Sequence, residues 1–170
     1  MLNESSRRIS RRYKEGLFST ISAGFFLTLI GVFFVIVPNL FDKIITFFRD
    51  FDAVRVPHMD GVLLPAPQDP TAHLAVYSTV ERFSIVWGIF LIGLLAARFL
   101  AHSPKRKKAD NLGDIVFWLG TAYLIQTLLI DSTKLDFTEW FGFWATIIML
   151  IGVSLIARAI FLAAVRKSPA

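Results

Sequence analysis

Cysteine is absent from all 170 residues. Disulfides, thiolate metal sites, haem-attachment motifs and cysteine nucleophiles are thereby excluded. Charge is scarce inside the long apolar stretches. Arg98, Asp114 and Arg158 are the ionisable residues that fall within them, each near one boundary. Proton relays and ion-coupled transporters usually place carboxylates or histidines in mid-membrane. The chain also lacks a Gly-rich phosphate loop, a Gly-x-Ser-x-Gly elbow and a His-Glu-x-x-His helix. Its basic clusters come without a nucleic-acid-binding fold or interleaved aromatics, so no nucleic acid is expected as partner. No cofactor is expected, and the reading leans away from an enzyme.

What the chain has is apolar sequence in uninterrupted runs. It is 55% hydrophobic, with mean hydropathy +0.59. Runs of about 18 residues or more fit a bilayer-spanning helix. The expected fold is an all-α, four-helix transmembrane bundle with both termini cytoplasmic, in the cell membrane. A cytoplasmic basic tail at 1–16 leads into one membrane domain at 17–165, and 166–170 forms a second cytoplasmic tail. The helices are placed at about 17–37, 71–101, 112–130 and 139–165, with an extracytoplasmic cap at 39–70. A secretory signal would have a shorter apolar region, so the first run reads as a retained helix.

The loop between the second and third helices sets the orientation. Lys105, Arg106, Lys107 and Lys108 are consecutive cations that resist translocation. With this loop inside, 13 of the 18 Lys and Arg fall inside and nine of the 13 carboxylates outside. The same four cations are the expected contact for anionic lipid heads.

The cap is the only long connection. Leu40, Phe41, Ile44, Ile45, Phe48 and Phe51 share a helical face. This amphipathic helix either lies on the membrane surface or packs on the end of the bundle. Asn39 and Asp42 resemble a helix start, as do Asp69-Pro70, Asn111 to Asp114, and Asp136 to Glu139. Asp60-Gly61 between short apolar arms signals a small β-hairpin, stiffened by Pro57 and Pro65. Tyr77, Trp140, Trp144 and the Phe47-Phe48 pair suggest an outer aromatic belt, and Tyr13 an inner one.

Gly24 and Gly31 share their spacing with Gly113 and Gly120, which raises a weak internal repeat of two hairpins. These glycines are read as packing positions. The most polar intramembrane candidates are Gln126 and Tyr123, with an interhelical hydrogen bond the plainer reading of Gln126. On the outer face, His58, Asp60, His73 and Glu81 have metal-ligand chemistry, but they lack close His spacing and come from separate elements. Three functions are therefore carried forward. The leading one is a non-enzymatic accessory or scaffolding subunit of a larger membrane complex, or a self-associating protein. The second is a small transporter or lipid-binding protein with a cavity between the hairpins near Gln126 and Tyr123. The third is an outer-face enzyme or metal-binding protein.

Overall fold

The structure is a computed structural model. It describes residues 2–131 and 135–166, with side chains from 15 to 131 and from 135 to 165. Residues 167–170 of the expected second tail, the Arg166 side chain, the Tyr13 ring and the Arg side chains of the first 14 residues lie outside what is described.

Among the described residues there are five α-helices and one two-stranded sheet. They are α1 (Leu2–Ile36), α2 (Leu40–Arg49), β1 (Phe51–Arg55), β2 (Leu63–Pro67), α3 (Leu74–Leu100), α4 (Lys105–Leu124) and α5 (Phe137–Arg166). A 3-10 turn, Pro70–His73, leads into α3, and a π-helical stretch, Ile125–Ile130, continues α4. Four helical segments are long and apolar enough to cross a membrane: Glu15–Ile36, Pro70–Leu100, Lys105–Ile130 and Phe137–Val165. At 1.5 Å per residue, even the 22-residue span reaches about 33 Å, enough for the hydrocarbon core.

Two helix starts differ from the sequence reading. The basic run at 105–108 begins α4 instead of forming a loop. Pro104 precedes it, and Lys, Arg and Ala are strong helix formers, so nothing breaks the helix before Leu124. Asn111, expected as a cap, is instead buried in mid-helix. Asn39 does not cap α2 with its side chain. It takes a left-handed backbone at φ 54° after Pro38 and turns the chain from α1 into α2, a conformation Asn tolerates better than most residues. The other two starts behave as caps. Asp69 accepts hydrogen bonds from the Thr71 amide and hydroxyl. Asp136 accepts from the Thr138 amide, while its own amide donates to Glu139.

The spanning helices pack mainly in chain order: α1 on α3, α3 on α4, α4 on α5. Aromatic rings fill the first seam. Phe25 stacks on Phe90 with centroids 4.1 Å apart, and Phe26 meets Phe83 and Trp87 edge-on at 5.4 and 5.0 Å. Glycines serve the next two seams. A Cβ at Gly88 would collide with Leu119, at Gly120 with Leu150, and at Gly113 with Arg158. Gly24 and Gly31 have open space instead, so the shared spacing is not a shared packing role. The outward faces of α1 and α5 stay apolar and bare, as at Val35 and Ile148.

The cap closes one end of this row. Strands β1 and β2 pair antiparallel, Phe51 with Pro67 through Arg55 with Leu63. Val56 and Val62 extend the ladder by one hydrogen bond of 3.0 Å. Pro57 belongs to the turn, not to a strand: the Met59 amide donates to the Val56 carbonyl, with His58 at φ 62°. Proline followed by a positive-φ residue matches a type II turn. Asp60 and Gly61, at φ 78°, then complete the connection.

Phe47 of α2 is the hub below the hairpin. Its ring meets Phe51, His73, Tyr77 and Trp140 at centroid distances of 5.1 to 6.1 Å. The aromatic-belt reading therefore needs correction. Tyr77 and Trp140 are buried in this cluster, whereas Trp144 and Phe48 are exposed. Helix α2 also splits its apolar face. Leu40 is buried while Phe41 and Phe48 remain exposed.

Candidate functional site

At the cap end, Asp50 ends α2 and receives two donors. His73 Nε2 donates to its carboxylate at 2.8 Å and the Asp69 amide at 3.1 Å. The Asp50 carbonyl accepts from the Gln68 amide at 2.9 Å. His73 itself is only 5% exposed. The hydrogen bond from His73, helped by the Asp69 amide, holds the Asp50 carboxyl below its ordinary range. The Thr71 hydroxyl does the same for Asp69. This arrangement ties α2, the hairpin exit and the start of α3 together.

Below the cap lies an apolar cavity of about 320 Å³ between α3, α4 and α5. Val80, Phe117, Trp118, Ile125 and Phe143 line it, and no polar atom is exposed on its wall. The Tyr77 hydroxyl, the Thr121 hydroxyl and the Trp140 indole N–H are buried behind that wall without hydrogen-bond partners. The π-helical stretch contributes Ile125 and Leu129. Such stretches recur at functional sites, where they shift one residue out of helical register.

At the opposite, basic end a second cavity of about 410 Å³ opens between α1, α3 and α4. Its wall mixes Glu15, Arg98, Lys107 and Asn111 with Trp87 and Leu91. The Asn111 amide donates to the Leu91 carbonyl at 2.9 Å, which binds α4 to α3. Arg98 donates to the Lys107 carbonyl at 2.7 Å, so it folds across to α4. Arg98 Nε and Glu15 Oε2 are buried without partners. Beside this cavity Arg158 crosses Gly113 and donates to Asp114 at 2.5 Å, with Asp110 at 3.7 Å. Sequence reasoning placed Arg158 and Asp114 at the same depth and missed that they pair. The shared depth of a lone cation and a lone carboxylate on neighbouring helices was the available signal.

The residues singled out from the sequence are dispersed. His58 and Asp60 sit exposed in the hairpin connection, His73 is held by Asp50, and Glu81 is half-buried on α3. Among the described residues no group of three or more His, Asp or Glu side chains is placed to hold a metal ion. The Gln126 amide donates to Asp131, at the end of its own helical stretch, at 2.8 Å, and among the described residues it makes no interhelical side-chain hydrogen bond. Tyr123 is 68% exposed on the outside of α4. Lys105, Arg106 and Lys107 are exposed and Lys108 half-buried. Lys105 donates to the Val165 carbonyl near the end of α5, and Lys108 lies 4.3 Å from the Phe99 ring centroid.

Four helices long and apolar enough to span a bilayer, with one small two-stranded sheet, define the class among the described residues: a mainly helical chain compatible with a multi-pass membrane protein. Compared with known protein families, with curated proteins and with solved structures, the chain matches none.

Proposed function

We propose that the protein is a non-catalytic accessory or scaffolding subunit of a larger complex in the cell membrane. Its hairpin is the contact. The basic end faces the cytoplasm together with both termini, and the cap faces outward. The excess of cations at one end, including the four at the start of α4, supports that orientation.

The observation that carries the reading is the exposure of the hairpin's far half. Neighbouring strand residues point to opposite faces, yet Leu63 is 59% exposed and Leu64 45%. Met59 in the connection is exposed as well. This end of the hairpin therefore stands clear of its own bundle on both sides, while Ala66 and Pro67 anchor the near end. An apolar tip on a rigid base suits insertion into a groove on a partner, where a few anchors dominate affinity.

The test is co-purification from native membranes in mild detergent. Replacing Met59, Leu63 and Leu64 together by serine removes the anchors and leaves the buried base untouched. Loss of a stoichiometric membrane partner, with normal insertion and yield, is the expected result. Retention of every partner by the triple variant, or a wild-type particle holding this chain alone, refutes the reading.

A second reading, a protein that binds an apolar small molecule or lipid, is favoured by the apolar cavity below the cap. That cavity lies between α3, α4 and α5, away from the exposed Tyr123 ring.

A further inference from the structure

The cavity at the basic end has chemistry that neither the packing nor the hairpin contact uses. It contains two cations, Arg98 and Lys107, that are not engaged by a carboxylate among the described residues. Asp114 on its rim is already neutralised by Arg158. Among the described residues that leaves Glu15, whose Oε2 is buried without a hydrogen bond, as the remaining anion of the cavity, and Arg98 Nε as a buried donor without an acceptor. A buried polar atom without a partner is costly, so a ligand that offers Glu15 Oε2 a donor and Arg98 Nε an acceptor would be held here.

Position narrows the ligand. Glu15 stands two residues before the apolar run that begins at Leu17, and Arg98 lies in the last turn of α3. Both stand at the boundary between apolar and basic sequence, which on the proposed orientation is the depth of the lipid phosphates. Trp87, Leu91 and Leu94 supply the apolar part of the wall, and Ser19 and Ser22 of α1 also line it. At about 410 Å³ it falls within the usual range for small-ligand sites.

We infer that this cavity seats one phospholipid whose head carries both a phosphate and a primary ammonium group. Arg98 and Lys107 take the phosphate, and Glu15 takes the ammonium. Glu15 is the specificity element. It repels an extra negative charge, and it accepts N–H donors that a quaternary ammonium lacks. A hydrogen bond between charged groups is roughly twice as strong as a neutral one, so a preference of about tenfold over heads without the ammonium follows.

The experiment uses the full chain, delipidated in detergent and titrated with phosphatidylethanolamine, phosphatidylglycerol or phosphatidylcholine, with retained lipid counted by native mass spectrometry. The wild type is expected to hold one phosphatidylethanolamine, about tenfold tighter than either other lipid. Glu15→Gln, nearly the same shape, should abolish the preference while still binding lipid. Lys107→Gln, at an exposed position, should weaken phosphatidylethanolamine and phosphatidylglycerol alike. Equal retention of the three lipids by the wild type overturns the inference, as does an undiminished preference in Glu15→Gln. Displacement by free phosphoethanolamine at concentrations matching the lipid would make the ligand a soluble zwitterion and also overturn it. None of these outcomes depends on the hairpin.

Discussion

Phe47→Ala is the substitution that tests the cap most directly. The ring stands at the meeting point of α2, β1, α3 and α5, in edge-to-face contact with His73, Tyr77, Trp140 and Phe51. Truncating a fully buried Phe to Ala costs about 3–5 kcal/mol. Phe47 is half-buried, which scales the loss to about 2–3 kcal/mol. The aromatic contacts are each worth about 0.5–1.5 kcal/mol beyond area, but they share one ring and do not add in full. The cost falls on local opening of the cap, because the spans below keep their own seams. At about 1.4 kcal/mol per factor of ten, opening becomes roughly 30- to 150-fold more frequent. Hydrogen-exchange mass spectrometry in detergent or nanodiscs reads this in the ladder amides of residues 51–67. The amides of α4 near Gly113 and Gly120 should stay protected. Unchanged exchange in the hairpin would show that Phe47 does not hold the cap. An equal rise across all four spans would show that the cap is not a separate unit.

Three further outcomes follow from the same geometry. Because Asp50 is held below its ordinary value of 3.8, its contribution to cap stability is complete above that pH and is lost as pH falls through the lowered value. Hairpin exchange should therefore rise below about pH 4, and Asp50→Asn should exchange faster at neutral pH with a flatter acid response; identical acid profiles would refute the Asp50–His73 lock. Gly113→Ala drives a methyl into Arg158 and should cost about 1–3 kcal/mol in thermal melts, whereas Gly24→Ala, with open space around it, should stay within about 0.5 kcal/mol of wild type. The absence of cysteine gives a clean background for topology: Asp60→Cys should react with an impermeant maleimide on intact cells and Lys107→Cys only after permeabilisation, and the reverse would invert the proposed orientation.

The spans were legible because long apolar runs with charge at their ends have few alternative readings. The hairpin was legible as a pair of arms, but its turn was not. Asp60-Gly61 carries the familiar signal, yet the reversal starts at Pro57-His58, which needs His58 at φ 62°. The aromatic residues read as an outward-facing belt divide between inward and outward positions. Tyr77 and Trp140 face inward because α2 folds back over them, and no local pattern encodes that tertiary contact. The helical start at Lys105 was available from propensity alone, but the charge of the run drew the reading toward a loop. The Arg158–Asp114 pair spans 44 positions and depends on the register of α4 against α5, which Gly113 sets. The cavity at the basic end was invisible for the same reason. Glu15, Arg98 and Asn111 converge only when three helices are aligned.

Packing in chain order bears on how the molecule is made. Each span finds its main neighbour next to it in sequence, with α1 and α3 separated only by the cap, so helices can dock as they emerge from synthesis. The cap is different, since Trp140 closes the cluster around Phe47 and belongs to the last helix. A chain halted before Phe137 holds three spans and an unfinished cap. The aromatic base under the hairpin is therefore assembled only after the Phe137–Arg166 helix has docked, so the cap is the one part of the fold that registers the arrival of that span.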